Sequence, residues 1–468
     1  MRNRSLRQLA SVLTALVLLI AIPPRLPAAE ADELKLLREQ IRALEQQLLV
    51  LERKQEIKDE AAAAAAPTTP KITINDKGFT FASADVANAI RLRALIQFDS
   101  RLFTDDSIAV NNTYVLRRAR LFFEGTLGKV VSYQIVPELA GGTATGATTP
   151  SILDANFSFS VRKELQLKFG KFKSPVGLEM LQSEQTTAFN ERSLATNLVP
   201  NRDIGVLATG EILGGTTTYT VGVLNGVADG ASSTNADYDN EKDFVARVFA
   251  TPFKNSADSL LQGLSFGIAG SSGRQKTASG RTAGYRTDGQ QTFFTYNAAV
   301  VADGQSWRVS PQLDYRSGSF GLLGEYVLST VNLRPSATGP KAELHNKAWQ
   351  IAAGYVLTGE DSSYNGLTPA HNLNFANGSW GAVEVTARYA SLKIDDVAFP
   401  IYASPASSAS GATAYGLGLN WYLAKSTMLK FDYFQTQFDF APGTPAAPTN
   451  TILRQDEQVF ITRFQLSF

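Results

Sequence analysis

From about residue 90 to the last residue, apolar and polar side chains alternate with a period of two, in runs that repeat along the whole chain. In Arg91-Leu-Arg-Ala-Leu-Ile-Gln-Phe-Asp-Ser-Arg-Leu the even positions Leu92, Ala94, Ile96, Phe98 and Leu102 are apolar, while Arg91, Arg93, Gln97, Asp99 and Arg101 occupy odd ones. Ala119, Leu121 and Phe123 alternate with Arg118, Arg120 and Glu124; Leu153, Ala155, Phe157, Phe159 and Val161 alternate with Asp154, Asn156, Ser158 and Ser160. The closing run sets Phe460, Phe464, Leu466 and Phe468 against Arg463, Gln465 and Ser467. This period places one apolar and one polar face on each strand of a sheet.

Three features turn that sheet into a membrane barrel. The runs approach ten residues or more, where ordinary strands have about five or six. Bulky charges recur on the polar face, as a water-filled bore permits. No helical layer is available to cover the apolar face. A transmembrane antiparallel β-barrel, apolar outside and polar inside, satisfies all three; a soluble sandwich is the alternative. The fold class is therefore all-β. Tight turns at Gly128-Lys129, Arg162-Lys163, Gly214-Gly215, Ser317-Gly318 and Ala424-Lys425-Ser426 alternate with long polar loops near 104–112, 140–150, 173–202, 225–240, 331–344, 395–412 and 441–453. This asymmetry is that of bacterial outer-membrane barrels. Even parity requires that 272–305 be one long excursion, which gives sixteen strands, with eighteen as the alternative and Gln291–Val301 as the ambiguous segment. The length of 359–378, on the short-turn side, has no explanation in the sequence.

The N-terminus carries an address. Arg2, Arg4 and Arg7, an apolar run from Leu9 to Ile22, and small residues ending Ala28-Ala29 read as a signal peptide over 1–29, cleaved after Ala29 or Ala31; an uncleaved anchor is the alternative. Leu34, Leu37, Ile41, Leu44, Leu48 and Leu51 then fill three a/d pairs of a heptad, with Arg38, Glu45 and Glu52 at e and Lys54 at g. We expect a coiled-coil helix over 30–60 that needs partner chains, because three heptads are marginal alone; the alternative is a helix packed on its own domain. Residues 61–77, opening with Ala61–Ala66 and Pro67-Thr-Thr-Pro70, read as a linker, and 78–468 as the barrel.

Composition excludes most chemistry. The 468 residues contain no cysteine and two histidines, His345 and His371, so there is no disulfide framework, thiolate site or histidine metal cage. Both histidines fall in expected connections without a nucleophile motif, so no catalytic residue, metal site or cofactor is expected. An outer-membrane hydrolase is the enzyme alternative. A net charge of +1 argues against nucleic acid as a partner. Without the first 29 residues, forty basic side chains face forty-three acidic ones, so charge selectivity must come from placement. The run Asp237, Asp239, Glu241, Asp243 has calcium-like ligands without EF-hand spacing; we read it as a solvated loop.

Polar parity puts Arg91, Arg93, Arg101, Arg118, Arg120, Lys168, Arg247, Arg388, Lys430 and Arg463 in the bore, against Asp99, Glu124, Glu138, Asp154, Glu384 and Asp432. Ten cations against six acids favour anions, and arginine matches oxyanions in a bidentate way. The long loop 173–202 carries Lys173, Glu179, Glu184, Glu191, Arg192 and Arg202 and is the candidate to fold inward and narrow the bore; a surface lid is the alternative.

Arg117-Arg-Ala-Arg-Leu-Phe-Phe-Glu-Gly, Asp154-Ala, Gly170-Lys-Phe-Lys-Ser-Pro, Glu179, Phe189-Asn-Glu-Arg-Ser and Asn201-Arg-Asp-Ile-Gly-Val resemble the phosphate-selective porin O and P family. Gly321-Leu-Leu-Gly-Glu-Tyr, Glu384-Val-Thr-Ala-Arg-Tyr, Gly418-Leu-Asn-Trp-Tyr and the closing Phe460–Phe468 extend the resemblance over roughly 78–468. It implies a trimeric, sixteen-stranded outer-membrane channel of a Gram-negative bacterium, with its third extracellular loop folded inward. Several members carry an N-terminal coiled coil, here in the periplasm. Phosphate-specific members use an arginine ladder and a lysine cluster; loop 173–202 has no such cluster. The expected function is a porin passing small hydrophilic solutes and inorganic anions with weak anion preference. The alternatives are a phosphate or polyphosphate channel with a binding site, and an envelope tether contacting peptidoglycan through the coiled coil. Outer-membrane lipid is the expected partner of the apolar face.

Overall fold

A computed structural model describes residues 28–64, 69–104, 111–141, 150–237, 239–276, 282, 284–445 and 456–468. The expected signal peptide lies almost wholly outside the described residues. The chain divides into two compact units, 1–68 and 69–468. In the first, α1 (Ala28–Ala64) is one continuous helix, starting earlier and ending later than the expected 30–60. Leu37, Ile41, Leu44, Leu48 and Leu51 are all exposed, between 49% and 64%. No helix among the described residues is long and apolar enough to cross a membrane.

The second unit opens with a hairpin, β1 (Lys71–Asn75) and β2 (Gly78–Ala82). Residues 71–75 are therefore strand, where a linker to residue 77 was expected, and the wall itself starts at Ala89. The first part of the wall is β3 (Ala89–Phe103), β4 (Thr113–Leu127), β5 (Val131–Ala140), β6 (Ser151–Arg162) and β7 (Leu165–Lys173). A short helix α2 (Leu178–Leu181) follows, then β8 (Arg202–Ile212), β9 (Thr217–Leu224), β10 (Asp243–Ala250), α3 (Ser259–Gln262) and β11 (Leu264–Lys276). A small separate hairpin, β12 (Tyr285–Arg286) and β13 (Thr292–Phe294), interrupts the series. The wall resumes with β14 (Val301–Ser317), β15 (Phe320–Arg334), β16 (Ala342–Val356), β17 (Ala382–Lys393), β18 (Gly411–Ala424), β19 (Thr427–Asp439) and β20 (Asp456–Ser467).

Each wall strand pairs antiparallel with the next, and β20 pairs with β3, Arg463 opposite Asp99, which closes the barrel. The sheet has eighteen strands, of which the β1–β2 hairpin supplies two, so the wall has sixteen. Closure leaves no edge in the wall for another chain to pair with. β2 takes the edge of β3 at residues 89–92, just beyond where β20 stops, and Phe79 stacks edge-on against Phe468 at 5.9 Å. The excursion expected over 272–305 is shorter, 277–300, because β11 and β14 run further than the alternation suggested. Of Gln291–Val301, only Val301 belongs to the wall, as the first residue of β14. His345 lies on β16 and not in a connection, beside Thr330 at 2.9 Å.

The alternation sorts the faces. On β3, Gln97, Asp99 and Arg101 are fully buried inside, while Ile96, Phe98 and Leu102 are 42–46% exposed outside. On β6, Phe157, Phe159 and Val161 face out, and Asp154, Asn156 and Ser158 face in. At about 25 cal/mol per Å², an apolar band of this extent is stable only against hydrocarbon.

The inside of the barrel is asymmetric. Along β14–β18, the inward positions include Val327, Ala348, Ala390, Leu392 and Ala412. Against them pack Val176, Leu194 and Leu198 of the segment between β7 and β8, and Tyr285, Phe293 and Phe294 of the small hairpin. The hydrophobic core thus sits inside the barrel against one half of the wall. The inward face of β3–β8 is charged instead, with Asp99, Arg101, Arg118, Arg120 and Asp154.

Candidate functional site: a charged constriction

The segment between β7 and β8 crosses the interior and is held by the wall's own charges. Two of its carboxylates do most of the holding. Glu191 accepts from Arg101 Nη2 at 2.6 Å, from Arg117 Nε and Nη2 at 2.6 and 2.9 Å, and has Arg463 Nη2 at 3.2 Å and Arg118 Nη2 at 4.0 Å. Asp99 shares two of these, with Arg463 at 2.6 Å and Arg101 at 2.9 Å. Glu184 stands among Arg120 (3.0 Å), Arg192 (3.3 Å), Arg202 (3.4 Å) and Lys173 (3.5 Å). Glu138 also binds Arg120, at 2.5 Å, and Asp154 binds Arg202 at 3.2 Å. Burial would raise both loop acids. The facing cations outweigh it, Lys173 and Arg120 foremost for Glu184, Arg117 and Arg101 for Glu191, and hold each well below the usual carboxylate range.

Of the residues expected in the bore, Arg101, Arg118 and Arg463 meet at Glu191 and Arg120 at Glu184, where Lys173, Arg192 and Arg202 of the expected constriction loop join it. Arg388 belongs to a third group: it donates to Glu179 Oε1 at 3.2 Å and to the Glu191 carbonyl at 3.0 Å, pairs with Asp288, and lies over the Phe189 ring at 4.4 Å. Glu179 also takes the Ser193 N–H at 2.9 Å and Gln350 Nε2 at 2.8 Å. Lys430 donates to the Thr187 carbonyl. Arg91 and Arg93 lie apart, both on Glu124 toward the short-turn end. Lys168 lines the cavity there with Asn156, Ser158 and Gln166. Arg247 is elsewhere again, donating to Gln312 at 3.0 Å.

Several functional residues escaped the sequence reading. Arg117 should point outward if Arg118 points in. The pairing of β3 with β4 slips between Gln97 and Phe98, so that Gln97 faces Arg118 and Phe98 faces Leu116, with Arg117 extra between them. This β-bulge turns two successive arginines to the inside. Arg308 is fully buried on Asp229 at 2.6 Å, with Asp243 at 3.7 Å; the alternation Ser306, Arg308, Ser310, Gln312 carried the signal for it. Arg286 had none, because it arrives on an inward-folded hairpin.

That hairpin and one other segment complete the interior. The tip of 277–300 puts the Gly289 carbonyl on Arg101 Nη1 at 3.2 Å and Asp288 on Arg388. Burial pushes the Asp288 carboxyl up to about 6, against the pull of Arg388. From the short-turn end, 357–381 reaches in: Tyr364 Oη donates to the Leu178 carbonyl at 2.7 Å, Gln182 Nε2 to the Tyr364 carbonyl at 2.9 Å, and Arg316 to Ser362 at 3.0 Å. The unexplained length of this connection is thus used to brace α2 from below.

Open spaces include a cavity of about 400 Å³ on the long-loop side of Glu184, one of about 500 Å³ on the short-turn side, and one of about 620 Å³ beside Arg91, Arg93, Gln185 and Gln465. The first is lined by Arg117, Arg118, Arg120, Arg192, Arg202 and Arg286 against Glu184, Glu191 and Asp229. The second has Arg91 and Lys168 against Glu124. Among the described residues no group of three or more His, Asp or Glu is placed to hold a metal ion. The acidic run is dispersed: Asp237 pairs with Lys242 at 2.5 Å, whereas Asp243 is buried near Arg308.

A closed sixteen-stranded wall with its bore narrowed by loops is the architecture of a porin. Residues 90–468 match the family Phosphate-selective porin O and P. The chain belongs to that family. It is an outer-membrane porin channel. It is 24% identical over 431 residues to Porin O of Pseudomonas aeruginosa, covering 85% of this chain and 92% of that one. Among solved structures it is similar to the outer-membrane channel DcaP of Acinetobacter baumannii (TM-score 0.52, 14% identity, 82% of this chain and 98% of the other). It is also similar to OmpT of Vibrio cholerae, solved in a trimer form (TM-score 0.50, 11% identity, 82% and 100%). These identities speak for the fold alone. In this porin the long-loop end is the extracellular one and the short-turn end the periplasmic one.

Proposed function

We propose that this porin passes small hydrophilic solutes passively, with a weak preference for anions. The observation that carries the reading is the lining of the extracellular cavity, six arginines against three carboxylates, above a floor where Glu184 faces four cations. A cavity walled in low dielectric concentrates the counter-charge of its lining, so anions enter more readily. Most of these guanidiniums already hold a loop or wall carboxylate, which keeps the preference modest. Reversal potentials across a KCl gradient in planar bilayers test this, and a cation preference overturns it. Block of chloride current by micromolar phosphate would instead establish the phosphate-specific alternative.

The site residues act here as a charged constriction, with Lys173, Glu179, Glu191, Arg192 and Arg202 on or beside the inward-folded segment. Three copies assemble side by side, as OmpT does in its trimer form, and α1 supplies a periplasmic coiled coil. Its support is the exposed stripe Leu37, Ile41, Leu44, Leu48 and Leu51, whose burial requires partner helices. Deleting 30–66 tests both this and the tether reading. Unchanged conductance with a weakened trimer supports a stalk, and lost envelope integrity supports a peptidoglycan tether.

A further inference from the structure

We propose that Glu184 sets the solute specificity of this pore: it is a tethered carboxylate seated in a four-cation anion site, and it holds that site against free oxyanions. The inference deepens the anion-pore reading and rests on it.

The four cations come from four places, Arg120 on β4, Lys173 at the end of β7, Arg192 on the loop and Arg202 at the start of β8. They converge on one side chain that is itself 8% exposed and borders the extracellular cavity. Arg120 and Arg202 have second acids in Glu138 and Asp154. Lys173 and Arg192 have no acid but Glu184 among the ion pairs of the described residues. With Glu184 ionised, four cations face three acids. Without its charge they face two, and two cations lose their only carboxylate. Three guanidiniums and an ammonium within 3.0–3.5 Å of one carboxylate suit a tetrahedral oxyanion, which offers more oxygens and more charge than a carboxylate.

The loop has further seats besides the Glu184 side chain. The Glu184 carbonyl accepts from Gln97 at 3.0 Å, and the Gln182 carbonyl from Lys173 at 2.6 Å and Arg192 at 2.7 Å. The Gln185 carbonyl accepts from Gln465 at 3.1 Å. Removing the charge therefore takes the tethered anion from the four cations, while these backbone seats continue to hold the loop. A free anion competes with a group already in position, so its apparent affinity falls by the fraction of time the site is vacant. Occupancy by Glu184 for 90–99% of the time weakens it by about ten- to a hundredfold. This is why anions pass here and are not retained.

The test is inorganic phosphate titrated against chloride current for the wild-type porin, E184Q and E184D in planar bilayers. We expect half-block of E184Q at a phosphate concentration at least about tenfold lower than wild type, with a raised chloride-over-potassium permeability ratio. E184D, which keeps the charge, stays with the wild type. An anion-selective wild type with an E184Q of identical phosphate dependence overturns this inference alone; a cation-selective wild type overturns the reading beneath it. Should E184Q not insert, E184S carries the same titration: half-block at a lower phosphate concentration than wild type supports the inference, and the wild-type dependence refutes it.

Discussion

Replacing Glu191 by glutamine removes the one acid that four arginines share. Its carboxylate is 3% exposed, and Arg101, Arg117, Arg118 and Arg463 lie at 2.6, 2.6, 4.0 and 3.2 Å with side-chain exposures of 14% or less. Taking one partner from a buried pair costs about 3–5 kcal/mol, because the opposite charge stays buried and unpaired. Two features place E191Q near the lower end. Asp99 still holds Arg463 and Arg101, and the lining can recruit water and chloride from the adjoining cavity. We therefore expect about 3 kcal/mol. The loop can leave its seat while the wall stands, so the loss divides between a lower urea midpoint at unchanged m and louder current fluctuations in single-channel records. Arg117 has Glu191 as its acid partner, so a cycle through R117Q and the double variant should return a coupling of about 1–3 kcal/mol. E191Q within about 0.5 kcal/mol of wild type, with equally quiet traces, would refute the account of Glu191 as the anchor of the constriction.

Because Glu184 and Glu191 are held well below the usual carboxylate range, what they contribute is present above that range and is lost only as the pH falls through their depressed values. The difference in reversal potential between the wild type and E191Q should accordingly stay flat from pH 8 to about pH 5. Asp288 runs the other way: its folded-state value is raised to about 6, so its contribution is fully present below the ordinary carboxylate value and lost as pH rises through about 6. The shift corresponds to about 3 kcal/mol, and D288N should flatten the urea midpoint between pH 4 and 7. Y364F removes the donor to the Leu178 carbonyl and should cost about 1 kcal/mol. Its record should show brief openings above the wild-type conductance level; an unaltered record would mean that the periplasmic segment does not brace α2.

The wall was legible in the sequence because its determinant is local. Phe98 against Asp99, or Phe157 against Asn156, needs only the knowledge that neighbouring residues face opposite sides, and lipid on one side does the rest. The same rule located Arg101, Arg118, Arg120 and Arg463 on the inner face. It failed at Arg117, where one slipped register position reverses the parity of a residue without changing the residues around it. It could not reach Arg286 or Asp288, whose loop has no strand period.

By itself, then, the alternation determined that the chain closes a ring of strands with charge within and grease without. Only the tertiary structure decided which charges meet. Glu191 binds Arg463 across a separation of 272 residues, and Tyr364 reaches α2 from the opposite end of the barrel. It also decided that the half of the wall carrying Ala348, Ala390 and Ala412 is filled by folded loops, leaving the arginine-lined half as the bore. The physical reason is one of range: facing is a property of adjacent residues, whereas the partner of an inward charge depends on how far remote segments fold into the same enclosed space.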